Sequence, residues 1–156
     1  GKQMPVCFAP IITPDTEILI SGTIPSIASL TANEYYAFKH NSFWKIIATL
    51  SHKSSFQNYP EKLSALKALH LGLWDNLKYC DREGSLDSNI HNEFPNDFET
   101  LLSQHPKIKK LLFNGQKSYQ FFKKYHSKLL TKYDYAVLPS TSPANAKLCF
   151  GQKFDL

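Results

Sequence analysis

Residues 18–44 read ILISGTIPSIASLTANEYYAFKHNSFW, and the architecture turns on how this stretch is read. Ile18, Leu19 and Ile20 with Ser21 form a short apolar run that stops at Gly22, the pattern of a strand buried on both faces of a parallel sheet. Gly22-Thr23-Ile24-Pro25-Ser26 then turns the chain: glycine lets backbone come close to a ligand, Pro25 fixes one dihedral, and Thr23 and Ser26 supply hydroxyls. Two tyrosines follow. Phe43, Ile46, Ile47 and Leu50 then fall at i, i+3, i+4 and i+7, one face of a helix that Asn41 or Ser42 can cap. Ligands of α/β sheets collect where loops leave the carboxyl ends of strands, so this loop is the first place to look for chemistry.

Working outward, residues 1–17 carry Pro5, Pro10 and Pro14 and read as an extended lead-in. Pro60 begins a second helix predicted to run to about Leu71, with Gly72 as its stop. Leu73 to Cys80 reads as a short strand and turn. Asn96 as cap with Glu99 three residues on predicts a third helix that stops before Pro106. Lys109 to Phe113 forms a strand ending at Asn114-Gly115, a basic helix carrying Tyr119 and Phe122 follows, and Tyr135 to Leu138 is the last strand. The order β-α-α-β-α-β-α-β predicts a three-layer α/β/α sandwich around a central four-stranded parallel sheet, as one domain over 1–156.

Composition narrows the function classes. The 156 residues are 42% hydrophobic and 20% charged, ordinary for a globular chain, and no apolar run approaches ~18 residues. No basic segment followed by an apolar run stands at the start, and a cytoplasmic chain is expected. The net charge of +5 hides an asymmetry. Residues 1–100 hold eight basic and eleven acidic side chains, whereas 101–156 hold ten lysines against two aspartates. A lysine-rich half suits a polyanion, nucleic acid first. Arginine occurs once, at Arg82, so guanidinium reading of guanine edges is not the main device. Cys7, Cys80 and Cys149 are odd in number and widely spaced, which predicts reduced thiols and no metal ligand set.

Several segments together resemble the uracil-DNA glycosylase superfamily. GTIPS at 22–26, YYA at 35–37 and HNSFWK at 40–45 are similar to its first motif. FNG at 113–115 and LPSTSPAN at 138–145 agree in the expected order. WDNLKYCDREGSLDSNI at 74–90 is similar to the hypoxanthine-DNA glycosylase branch in particular. The resemblance implies a monofunctional DNA glycosylase of base excision repair, which hydrolyses the N-glycosidic bond of deoxyinosine without metal or cofactor. It also implies a monomer acting on DNA that contains a deaminated base. The alternatives are a uracil or G-mismatch glycosylase, or a nucleic-acid-binding module without catalysis.

Base removal needs a pocket for the extruded base, a partner for its flat face, hydrogen bonds for its edge and stabilisation of the charge it takes away. Backbone N–H groups of Gly22, Thr23, Ile24 and Ser26, in the loop shaped by Pro25, suit the last task. Tyr36 is the candidate stacking face, with Tyr35 a core or rim residue. Asn114 carries both donor and acceptor for the base edge. The uracil branches keep a catalytic Asn or Asp at the position matched by Ile24, and an isoleucine cannot hold a water. By the resemblance, Asn41 then takes the catalytic role. An amide has no basic pKa, so Asn41 can orient water but not take its proton. Asp75 is the runner-up acid. Ser140, Thr141, Ser142 and Asn145, with Lys147, are the expected DNA-backbone contacts. His40 reads as structural, and Arg82 with Glu83 and Asp87 as a salt-bridged turn.

Overall fold

The computed structural model describes residues 6–142. Four strands form the central sheet: β1 (Ile18–Ser21), β2 (Leu71–Leu73), β5 (Lys110–Asn114) and β6 (Asp134–Leu138). They lie in the order β2-β1-β5-β6, and every pair is parallel. In the register, Ile20 stands beside Leu73 on one side and Leu112 on the other, and Asn114 stands beside Leu138. Strand alternation sorts the side chains into two cores. Ile20, Leu112 and Leu138 pack with Phe43, Trp44 and Ile47 of α2 (Phe43–Leu50) and Ala65 and Leu66 of α3 (Tyr59–Ala68). Leu19, Leu111 and Phe113 pack on the opposite face, with α4 (Phe98–Ser103) and α5 (Gln116–His126). The expected three-layer α/β/α sandwich is therefore the observed one.

Several local expectations are corrected. The second helix ends at Ala68, not near Leu71, and Gly72 lies inside β2. The turn between them is made by His70 at φ 59°, and Gly72 is small because a Cβ there would meet the Ile11 carbonyl oxygen at 2.9 Å. Asp97, not Asn96, caps α4, its side chain accepting the Thr100 N–H. Asn96 is buried instead, donating to the Asp75 carbonyl at 2.8 Å. The strand and turn expected at Leu73 to Cys80 divides instead between the end of β2 (Leu71–Leu73) and most of β3 (Leu77–Asp81). The pairing of β3 and one short helix lie outside the sequence reading. A six-residue helix, α1 (Ile27–Ala32), begins at Ser26, whose hydroxyl caps it. A two-stranded antiparallel ribbon, β3 (Leu77–Asp81) with β4 (His91–Pro95), stands apart from the sheet.

The order of the strands also places the site. The chain leaves β1 for β2 on one side and returns past it to β5 on the other, so the crevice between β1 and β5 is a topological switch point. Gly22 follows one of these strands and Asn114 ends the other.

A candidate base-binding cavity at the switch point

A cavity of about 710 Å³ opens above the carboxyl ends of the sheet strands. Its floor is the Gly22–Ser26 loop, and Asp75 enters from the end of β2. Tyr36, Phe38 and Asn41 come from the segment before α2, while Ser85, Leu86 and Asp87 come from the turn of the β3–β4 ribbon. Asn114, Ser140, Thr141 and Ser142 close the remaining side. Every described residue proposed from the sequence for base or DNA contact thus faces one cavity. Asn145 and Lys147 lie outside the described residues.

The floor is held by buried polar contacts. Asn76 is 2% exposed, and its amide nitrogen donates to the Gly22 carbonyl at 3.1 Å and the Ser118 hydroxyl at 2.8 Å. Ser118 in turn donates to the Ser21 carbonyl at 2.6 Å, which ties the end of β1 to α5. Backbone N–H groups of Asn76 and Leu77 bind the carbonyls of Gly22 and Thr23. The N–H groups of Thr23 and Ile24 have no protein acceptor among the described residues, which leaves both as donors at the cavity floor. Ile24 is 8% exposed, its side chain set among Leu77, Cys80 and Phe121. A Cβ on Gly22 would stand 2.8 Å from an Asp75 carboxylate oxygen and 3.0 Å from the Tyr36 hydroxyl, so only glycine fits.

Arg82 fastens the far side of the loop. It is 1% exposed and donates from Nη2 to the Pro25 carbonyl at 2.7 Å and from Nε to the Gly84 carbonyl at 2.8 Å. The expected salt-bridged turn is corrected accordingly: among the described residues Arg82 makes no ion pair, and it serves carbonyls instead. Asp87 takes a hydrogen bond from the Thr23 hydroxyl, yet burial holds its carboxyl above the usual range.

On the other side, Tyr36 takes φ 54°, a region unusual for a bulky residue, and its ring stacks on Phe43 at 4.1 Å between centroids. Tyr35 is a core residue, 4% exposed, its hydroxyl donating to the Ala9 carbonyl at 3.0 Å. Asn41 accepts the Phe43 N–H at 2.9 Å through its side-chain oxygen, so it supports the start of α2 while facing the cavity. Asn114 does something the sequence does not announce. Its nitrogen donates to the Tyr36 hydroxyl at 3.2 Å and the Thr141 hydroxyl at 2.9 Å, and its oxygen accepts the Thr141 N–H at 2.9 Å. The Thr141 carbonyl also takes the Ser42 N–H at 3.1 Å. The amide of Asn114 thereby binds the last loop to the tyrosine and to the start of α2.

Phe38, Ser85, Leu86 and Asp87 are among the cavity residues that sequence reasoning did not place there, as are Tyr35 and residues 27–29 at the start of α1. Leu86 is 60% exposed beside the opening, and a solvent-facing leucine in a Gly-Ser turn is the signal that could have found it. Of the lysines on α5, Lys124 is paired with Glu93 at 2.6 Å, and Lys117 lies over the Phe121 ring at 5.0 Å. Among the described residues no group of His, Cys, Asp and Glu is arranged to hold a metal, and no helix is long and apolar enough to cross a membrane.

The profile of the uracil DNA glycosylase superfamily matches residues 9–154. A hypoxanthine DNA glycosylase of Methanosarcina acetivorans is 37% identical over 143 residues, 90% of this chain and 87% of its own length. One from Methanosarcina barkeri is 38% identical over 115 residues, 73% of each chain. The solution NMR structure of a Methanosarcina acetivorans protein, provisionally described as a uracil DNA glycosylase, superposes with a TM-score of 0.83. Its sequence identity is 35%, over 97% of this chain and 92% of the other.

Proposed function

Because the chain belongs to the uracil DNA glycosylase superfamily, we propose that it releases hypoxanthine from deoxyinosine in DNA and leaves an abasic site. The observation that carries the choice of base is the pairing of Ile24 with Asn41 across one cavity. Ile24 removes the water-holding amide from the place where the uracil branches keep it, and Asn41 brings an amide in from the α2 side. The two relatives that bear the hypoxanthine name support the same reading.

In this mechanism the extruded base enters the cavity and lies against the aromatic surface of Tyr36, whose ring is fixed by Phe43. Stacking of this kind contributes ~1–3 kcal/mol per base. As the glycosidic bond breaks, negative charge moves onto the base, and the N–H groups of Thr23 and Ile24 stabilise it from the floor. Asn41 holds the attacking water. Its oxygen keeps a lone pair beyond the one given to the Phe43 N–H, and its amide hydrogens remain for the water oxygen. With no base at that position, the water attacks late, once the sugar has become electron-poor. Ser140, Thr141 and Ser142 grip the DNA backbone beside the opening.

The test is single-turnover excision on duplexes carrying inosine, uracil, xanthine or thymine opposite guanine, followed by alkali cleavage. Inosine is expected to be cut fastest. Preferred cutting of uracil would overturn the choice of base, and retention on DNA without any cleavage would support a binding module.

A further inference from the structure

We propose that Asp75 tells a deaminated base from its amino-bearing precursor, its carboxyl donating an O–H hydrogen bond to the carbonyl oxygen that deamination sets in place of the amino group. The inference rests on the base-excision reading above and deepens it. It begins from a vacancy of role. Edge reading was expected of Asn114, but that amide is spent on Tyr36 and Thr141. Asn41 is occupied by the start of α2 and by water. A base in this cavity still presents an edge. Of the other buried polar side chains on the wall, the Thr23 hydroxyl is given to Asp87 and the Ser29 oxygen takes the Ala37 N–H, which leaves Asp75, 5% exposed.

Its surroundings select the neutral acid. Asp75 accepts the Gly22 N–H and sits where a Cβ on that glycine would collide with it. Asp87 faces it from the ribbon turn, Arg82 from β3, Tyr35 and Tyr36 from the segment before α2, and Cys7 from the lead-in. Asp87 opposes ionisation. The Gly22 N–H and then Arg82 favour it, although the Arg82 guanidinium is turned to the carbonyls of Pro25 and Gly84. Cys7 and the two tyrosines are themselves pushed upward by burial and stay uncharged near neutrality. Burial dominates, and the carboxyl is pushed up to about 7.

The Gly22 N–H also fixes which end does what. The oxygen that accepts it is the carbonyl-like one, so the proton sits on the other and is available to donate. Hypoxanthine offers an acceptor there, O6, where adenine carries an N6 amino group. Uracil offers O4 where cytosine carries N4. A donor facing a buried amino group leaves both unsatisfied, which is the strongest form of rejection a small pocket has. Ionised Asp75 would accept rather than donate, and the preference would be lost. Discrimination is therefore complete below the pKa and declines as pH rises through it.

The experiment is single-turnover excision of inosine and uracil duplexes across the pH range, for wild type, Asp75→Asn and Asp75→Leu, with the Asp75 Cγ resonance titrated by NMR. Above about pH 7 the wild-type rate is expected to fall about tenfold per unit. Asp75→Asn, which donates at every pH, should stay within about tenfold of the wild-type plateau and show no such fall. Asp75→Leu should lose about 100-fold or more. A pH profile in Asp75→Asn that falls like the wild type's overturns the inference, as does an Asp75 Cγ that is ionised well below neutrality. If the leucine variant does not fold, those two readouts decide. A folded wild type that releases neither base at any pH overturns the base-excision reading itself. Release by wild type with an unaltered asparagine profile overturns only the role of Asp75.

Discussion

The two walls of the cavity are built on different principles. One comes from strand ends and the segment before α2: Gly22 to Ser26, Asn41, Asn114 and Thr141. Here side-chain amides accept backbone N–H groups, as Asn114 does across loops with Thr141 and Asn41 does locally with Phe43. The other wall comes from the excursion between β2 and α4, and it brings ionisable groups: Asp75, Arg82 and Asp87. Burial holds both carboxyls above their usual range, and Arg82 is 1% exposed. The first wall carries amides and hydroxyls and positions; the second carries the ionisable groups, whose burial sets their protonation. A fold that separates these duties can alter the base it accepts without disturbing how water is held.

The largest effect expected on that division is at Asn41. Asn41→Ala should lower inosine excision by about 100-fold or more, the scale for misplacing a reacting group. Stability should fall by only ~1 kcal/mol, since the lost bond to Phe43 is one cap. Asn41→Ser keeps a cap acceptor and separates the two roles. Wild-type excision by the serine variant, in the same single-turnover assay, would move catalysis to the other wall.

Arg82 probes the second wall, with an intermediate effect. Arg82→Met keeps most of the apolar stem but removes the bonds to Pro25 and Gly84. Hydrogen bonds to a charged group are worth ~1.5–3 kcal/mol each, offset in part by the relief of a buried charge, so a net loss of about 2 kcal/mol is expected. Urea unfolding measures it. Excision should fall about tenfold as the Pro25 end of the floor loosens. Equal loss from Ser140→Ala, a residue of the opposite rim, would erase the distinction between the walls.

How much of this was legible follows the same line. Strands β1, β5 and β6 are four or five residues of apolar sequence closed by Gly, Asn-Gly or Pro, and periodicity finds them. The first wall hangs directly from their ends, so its residues could be named from sequence alone. The ribbon could not. Lys78, Tyr79, His91, Asn92 and Phe94 are all exposed, and its pairing shifts register twice, so no clean alternation marks it. Gly72 misled because glycine is the common helix stop, whereas here a close backbone crossing demands it. Asn114 stands at the end of β5 as the sequence implied, but nothing local shows that a residue 27 positions later would take up its amide.

The smallest effect is expected at Ile24, where the walls meet. Its side chain packs with Leu77 and Cys80 of the ribbon and Phe121 of α5, although its backbone belongs to the floor. Ile24→Asn returns a water-orienting amide to the place where uracil branches keep one, and uracil excision should rise. The gain is limited because the amide enters an apolar cluster. Leaving it unsatisfied there costs ~1–3 kcal/mol, which favours rotamers that turn it toward the cavity but also loosens the floor. A rise of a few-fold in uracil excision is therefore expected, with inosine excision constant or slightly reduced if, as proposed, Asn41 holds its water. Matched inosine and uracil duplexes under single turnover read both directions at once. A large fall in inosine excision, with no loss of stability, would place the working water at the floor and take Asn41 out of the chemistry.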